Sequence, residues 1–224
     1  MCGRFTLFHN VATLARAFNV SVPESLKVAP RYNVAPTQEV LSIVHDESPQ
    51  FTLLRWGLIP SWAKEESIGS KMINARAETL AEKPSFKRLL RSRRCLILAD
   101  GFYEWKKEGK GKVPMFITLQ DEEPFALAGL WDSWRDADGQ QIRTCTIVTT
   151  EANELMAPIH NRMPVILPSQ SREMWLDPSL HEEQLLLPLL KAYSADAMTA
   201  RPVSRQVNNP QYDSAELIDP VSLN

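Results

Sequence analysis

Apolar positions along the chain follow two periods. Across Asn10–Phe18 they fall at Val11, Leu14, Ala15 and Phe18, the spacing of one face of a short amphipathic helix. Val40–His45 and Phe51–Trp56 are strand-like runs joined by Asp46-Glu47-Ser48-Pro49, a turn signal. Pro84–Leu90 reads as a helix that leads into the apolar strand Cys95–Ala99. Two further hairpins are expected. Phe102–Lys107 and Val113–Leu119 flank Glu108-Gly109-Lys110-Gly111-Lys112, and Phe125–Trp134 and Gln141–Thr149 flank Asp138-Gly139. Short helices near Asn153–Ala157, Ser171–Trp175 and His181–Leu187, then a strand over Ala197–Val203, complete the pattern. Strands joined by short hairpins, with helices between or after them, predict an α+β fold. The expectation is a single domain over residues 1–224, built on a largely antiparallel β-sheet or open barrel flanked by short helices.

Composition agrees with that picture and removes several classes. With 224 residues, 44% hydrophobic and 23% charged, the chain can build a sizeable core, which excludes disordered, collagen-like and coiled-coil proteins. Apolar runs such as Leu185–Leu190, interrupted by Pro188, are far too short to span a bilayer. Met1-Cys2-Gly3-Arg4-Phe5 lacks an apolar stretch, so no secretory signal is read, and a cytoplasmic, nucleoid-associated protein is expected. Three widely spaced cysteines, Cys2, Cys95 and Cys145, suit a reducing compartment without disulfides. There is no C-x-x-C pair, and neither a metal nor a cofactor is expected. Cys95 and Cys145 lie in apolar strand patterns and read as core residues. A net charge of −2 argues against a globally basic nucleic-acid binder. Yet six basic residues (Lys83, Lys87, Arg88, Arg91, Arg93, Arg94) cluster without an intervening acid. That run is either a phosphate-facing patch or a solvated helical face.

Candidate chemistry starts at the second residue. Removal of Met1 leaves Cys2 with a free α-amine and a thiol on adjacent carbons. The amine titrates at about 7.7–8.0, so a usable fraction is neutral near pH ~7.4. The thiolate is a strong nucleophile. Such a 1,2-aminothiol condenses with an aldehyde: the amine forms an imine, and sulfur then adds to the imine carbon to close a thiazolidine. The bland alternative is an incidental, buried cysteine.

Several segments are dense in polar and special residues: Arg31–Pro36, Trp56–Trp62, Asn74–Glu78, Ala99–Trp105, Ile159–Pro164 and Pro202–Arg205. Strand alternation puts Phe102 and Glu104 on one face, with Tyr103 and Trp105 on the other. A glutamate among aromatics suits general acid–base work, although an exposed strand glutamate has the same sequence. His160 is a catalyst or a structural hydrogen-bonder, and Asn74 a site residue or a turn residue. Arg76 and Arg162 either bind phosphate or pair with Glu78 and other acids.

Taken together and in order, Met-Cys-Gly-Arg-Phe, Arg-Tyr-Asn-Val-Ala-Pro, Trp-Gly-Leu-Ile-Pro, Asn-Ala-Arg-Ala-Glu, Asp-Gly-Phe-Tyr-Glu-Trp and His-Asn-Arg-Met-Pro resemble the SRAP (SOS response-associated peptidase) family of abasic-site processing proteins. The resemblance runs from Cys2 to about Glu216. It implies a covalent crosslink between Cys2 and the ring-opened sugar of an abasic site in single-stranded DNA, shielding the lesion during replication. It further implies that Asn74 positions Cys2 and the sugar, that Glu104 senses the site and moves protons, and that His160 stabilises the crosslink and assists sugar opening. Arg76 and Arg162 are expected to grip flanking phosphates, and Arg4, Asn33 and Ser204 to line the groove. Pro36 and Trp62 are the wedge candidates. The implied partner is single-stranded DNA with abasic sites or a single-strand/duplex junction, bound by a monomer without a membrane. Weak β-elimination lyase activity follows from the imine, because it acidifies the adjacent carbon.

Two other readings remain open on the residues. One is a peptidase with Cys2 as nucleophile and His160 as base, whose substrate is its own Met1-Cys2 bond. The other is a non-covalent binder of damaged DNA. The acidic Glu65-Glu66 stretch between Trp62 and Asn74 departs from a DNA-contacting surface.

Overall fold

A computed structural model describes residues 2–24 and 26–222. In chain order its elements are β1 (Arg4–Leu7), α1 (Val11–Phe18), β2 (Arg31–Val34), β3 (Glu39–His45), β4 (Pro49–Trp56), β5 (Asn74–Arg76), α2 (Pro84–Ser92), β6 (Arg94–Ala99), β7 (Gly101–Glu108), β8 (Gly111–Leu119), β9 (Phe125–Arg135), β10 (Gln141–Glu151), β11 (Arg162–Pro164), β12 (Ile166–Leu167), α3 (Ser169–Leu176), α4 (Glu183–Leu186) and β13 (Met198–Pro202). All three expected hairpins form: β3–β4, β7–β8 and β9–β10 are antiparallel pairs.

Two sheets result. In the larger, β10, β4, β3, β6 and β9 pair in that order, and β9 pairs back onto β10, so the strands close into a ring rather than an open barrel. Every step is antiparallel except β10–β4, where Thr144 and Cys145 run parallel to Arg55 and Trp56. The smaller sheet runs β13-β8-β7-β1-β2. The α+β class with a mainly antiparallel sheet holds.

Alternation along the strands explains how the layers meet. On β9, Ala126, Ala128 and Leu130 face a core shared with Leu14 of α1, Phe86, Leu89 and Leu90 of α2, Trp175 of α3 and Leu186 of α4. Phe125, Leu127 and Trp131 face the opposite core, shared with Phe5 of β1, Phe102 of β7 and Ile117 of β8. Strand β6 is buried along its whole length, which is why it reads as a continuous apolar run. Gly129 permits the β6–β9 contact: a Cβ there would lie 2.7 Å from the Cys95 sulfur. The outer face of the smaller sheet is covered by Val203, Val207 and Leu217 of the C-terminal segment, packed on Tyr103 and Phe116.

Two expected helices are reduced. Residues 154–159 form consecutive turns rather than a helix. Asn153 supplies cap chemistry, its Oδ1 accepting from the Met156 N–H at 2.9 Å, but Pro158 follows too soon for a helix to propagate. The expected His181–Leu187 helix shortens to α4, with a 3-10 turn over Leu187–Leu189 that holds Pro188.

Candidate functional site

The site is assembled around the start of the chain. Strand β1 sits between β2 and β7, with Arg4 opposite Tyr103 and Phe5 opposite Phe102, so Cys2 arrives beside Glu104. Chain ends commonly fray. Cys2 is instead fully buried in the core with Phe5, Trp56 and Phe102. Its carbonyl accepts from Asn74 Nδ2 at 2.8 Å. Asn74 opens β5, which is carried by β10 through the Ile147–Asn74, Val148–Ala75 and Thr149–Arg76 pairs. The Asn74 Oδ1 is buried and has no hydrogen-bond partner among the described residues.

Glu104 is buried on the same face of β7 as Phe102, the side on which Cys2 lies. Burial pushes the Cys2 thiol well above its ordinary range, and the nearby Glu104 carboxylate pushes it further. A resting thiolate is therefore disfavoured. Met1, whose removal the aminothiol chemistry requires, lies outside the described residues.

A groove of about 740 Å³ opens nearby, lined by Arg76, Glu151, Ala152, Ala157, His160, Asn161 and Arg162. Alternation on β5 puts Asn74 and Arg76 on one side and buried Ala75 on the other, so a single short strand connects Cys2 to this groove. His160 Nδ1 accepts from the Arg162 backbone N–H at 3.0 Å, and the His160 N–H donates to the Met156 carbonyl at 2.8 Å. Arg76 is exposed in the groove.

Arg162 is held differently. Its Nη1 and Nη2 donate to Glu78 Oε1 and Oε2 at 2.7 and 3.0 Å, and Nη2 also donates to the Thr149 carbonyl at 2.6 Å. That fork holds the Glu78 carboxyl below the usual carboxylate range. Of the two roles open to Arg162, the structure displays the pairing with Glu78.

Other expected contacts spread out. Asn33 is completely buried, and its Nδ2 donates to the Asn209 and Tyr212 carbonyls at 2.9 and 2.7 Å. Arg4 gives Nη1 to Asn33 Oδ1 at 2.7 Å and to the Val207 carbonyl at 2.5 Å. Both side chains hold the C-terminal segment, and Asn33, being completely buried, presents no groove surface. Ser204 caps the 3-10 turn Arg205–Asn208. Pro36 precedes Thr37, which adopts a left-handed φ of 76°. Trp62 is 63% exposed, a large free aromatic face. The Lys83–Arg94 run is largely paired within the chain: Arg88 with Asp132 and Ser61, Arg91 with Glu183, Arg93 over the Trp131 ring, and Arg94 buried.

Sequence reasoning missed Thr149. It sits inside an apolar strand, and the group it contributes is a backbone carbonyl, which leaves no trace in residue type.

The family model described as SOS response associated peptidase (SRAP) matches residues 1–210. The chain belongs to the SRAP family. It is 51% identical to "Abasic site processing protein YoqW" of Bacillus subtilis, over 98% of this chain and 99% of that protein. It is 34% identical to "Abasic site processing protein YedK" of Escherichia coli, covering 99% of this chain and 100% of that one. A crystal structure of a protein from Bacteroides thetaiotaomicron superposes with a TM-score of 0.89 at 28% identity, covering 99% of this chain and 100% of that one. Within this SRAP fold, among the described residues, no helix is long and apolar enough to cross a membrane.

Proposed function

We propose that the protein processes abasic sites in single-stranded DNA by forming a covalent thiazolidine through Cys2 after loss of Met1. The observation that carries the reading is the 2.8 Å hydrogen bond from Asn74 to the Cys2 carbonyl, which fixes the second residue of the chain beside a buried carboxylate. An abasic sugar in its open form exposes an aldehyde at C1′. The Cys2 amine adds to that carbon and water leaves, giving an imine. The thiol then adds to the same carbon, its proton passing by way of Glu104 to the imine nitrogen, which leaves the carboxylate as it began. One water is lost overall. His160, at the groove, assists ring opening, and the same groups run the steps backwards. The imine also permits slow β-elimination. Relatives named as abasic site processing proteins support this assignment.

Arg76 is the phosphate contact in this reading, with Trp62 and Pro36 as surfaces on which the strand unstacks and Ser204 at the edge. The protein acts as a monomer in the cytoplasm, at single strands and junctions. The deciding experiment is peptide-level mass spectrometry after incubation with an abasic oligonucleotide. The adduct should map to an N-terminal Cys2, with mass equal to the sum of the two less one water. An adduct on another residue, or one formed with Met1 still attached, rejects the proposal. Met1 retained specifically in Glu104→Ala or His160→Ala would assign its removal to the protein itself.

Arg76→Ala should weaken binding of an intact single strand and lower the slope of log affinity against log salt by about 0.7, the value for one phosphate contact on single strands. Fluorescence anisotropy across a salt series measures it. An unchanged slope would return Arg76 to a structural role.

A further inference from the structure

We propose that Glu78 is a positioning residue for His160, acting through Arg162. The inference rests on the abasic-site reading above and adds a residue which that reading leaves unused. Glu78 follows β5 directly, in the single 3-10 turn Ala77–Thr79, and is therefore tied to the strand that carries Asn74 and Arg76. Its carboxylate takes both Nη groups of Arg162 in a two-pronged contact. The third anchor of that guanidinium is the Thr149 carbonyl on β10. Arg162 opens β11, and the N–H of the same residue donates to His160 Nδ1.

This chain of contacts has a chemical consequence. The Arg162 backbone N–H and carbonyl both face His160 Nδ1, at 3.0 and 3.2 Å, so the ring plane is set by where Arg162 sits. With the shorter contact made, Nδ1 is the acceptor and the neutral imidazole carries its proton on Nε2. The ion pair bridges β5 and β11, two strands that both pair with β10, at Thr149–Arg76 on one and Glu151–Arg162 on the other. It thereby ties the strand holding Asn74 to the segment holding His160.

Stability alone accounts poorly for the arrangement. The Glu78 side chain is 45% exposed and that of Arg162 13%, and a pair with one partner so solvated adds little to global stability. The guanidinium also leaves its Nε buried without a hydrogen-bond partner among the described residues. A donor without a protein partner adds nothing to the stability of the pair.

The test compares Glu78→Ala in the natural background and in His160→Ala. At saturating abasic strand, Glu78→Ala should slow adduct formation about tenfold, the scale of a displaced proton-transfer group. Affinity for a strand carrying a tetrahydrofuran analogue, which has no aldehyde, should change less than about twofold. In the His160→Ala background the same substitution should have no further effect, because the positioned group is gone. Nitrogen-15 shifts of the His160 ring should report the Nε2–H tautomer in the natural protein and a mixture in Glu78→Ala. Glu78→Gln, which keeps an acceptor for one Nη, should fall between. An equal loss in both backgrounds, or an unchanged rate and tautomer in Glu78→Ala, overturns the proposal. If His160→Ala itself leaves the rate unchanged, the histidine's role in the wider reading fails, and the positioning role falls with it.

Discussion

Cys2→Ala is expected to lose the heat-stable adduct with abasic single strands by at least about 100-fold, equivalent to about 2.7 kcal/mol, yet to retain an adduct that borohydride traps. The two halves of this result follow from dividing the labour between nitrogen and sulfur. Alanine is also small, so its α-amine is freed by the same Met1 removal. That amine still condenses with the C1′ aldehyde and expels water. Without sulfur, the imine stays open to hydrolysis and falls apart on denaturation. Borohydride delivers hydride to the imine carbon, the nitrogen takes a proton, and a stable secondary amine remains. Cys2→Ser should resemble alanine, because a hydroxyl is a poorer nucleophile toward the imine. Burial together with the Glu104 charge keeps the resting thiol protonated, which in the proposed reaction leaves the first addition to the amine. Denaturing gels with and without borohydride, on protein whose N-terminus has been checked by intact mass, separate the outcomes. A heat-stable adduct in Cys2→Ala without reductant removes the thiol from the mechanism. No trapped adduct with reductant removes the amine.

The parts of the fold that were legible are those where period and burial coincide. Strands β6 and β9 alternate between two cores or are buried throughout, and their residue types report it directly. Strands β1, β2, β5 and β11 span three or four residues, too few for any period to emerge. Yet these hold the site: β1 follows Cys2, β5 carries Asn74 and β11 starts at Arg162. Cys2, Asn74, Glu104 and His160 stood out as residue types in ordered motifs, whereas their distance from one another did not. Asn33 shows why polarity misleads. A polar residue in a motif needs partners, but its sequence does not say whether those partners are phosphates or the chain's own carbonyls. Here they are carbonyls of Asn209 and Tyr212. Arg162 had two roles open to it, and the neighbour that fixes its pairing, Glu78, sits in a 3-10 turn 84 positions earlier in the chain.

Arg94 carries the largest stability effect expected of the basic run, and it is not an electrostatic track for DNA. The residue opens β6 and is almost fully buried, with its guanidinium spent on backbone carbonyls. Nε donates to Trp175 at 2.5 Å, Nη1 to Leu90 and Arg91 at 2.7 and 2.8 Å, and Nη2 to Asp177. These carbonyls include the last turn of α2 and the end of α3, so one side chain satisfies C-terminal groups of two helices that have no intrahelical partner. Burial lowers its pKa to about 10, which still leaves it charged at neutral pH. Because that value lies below the unfolded one, the folded chain releases this proton first, and the penalty for burying the charge is relieved only above about pH 10. Arg94→Met keeps much of the volume but orphans the carbonyls, at about 3 kcal/mol. For a chain of this size that lowers Tm by about 6–12 °C. Arg93→Met is the matched control. Its guanidinium lies 4.2 Å over the Trp131 ring, a contact worth about 0.5–1 kcal/mol, so Tm should move by only a few degrees. Neither substitution should change the salt dependence of DNA binding measured below the transition. Equal Tm shifts in the two variants, or a reduced salt slope in Arg94→Met, would assign Arg94 to the phosphate surface instead.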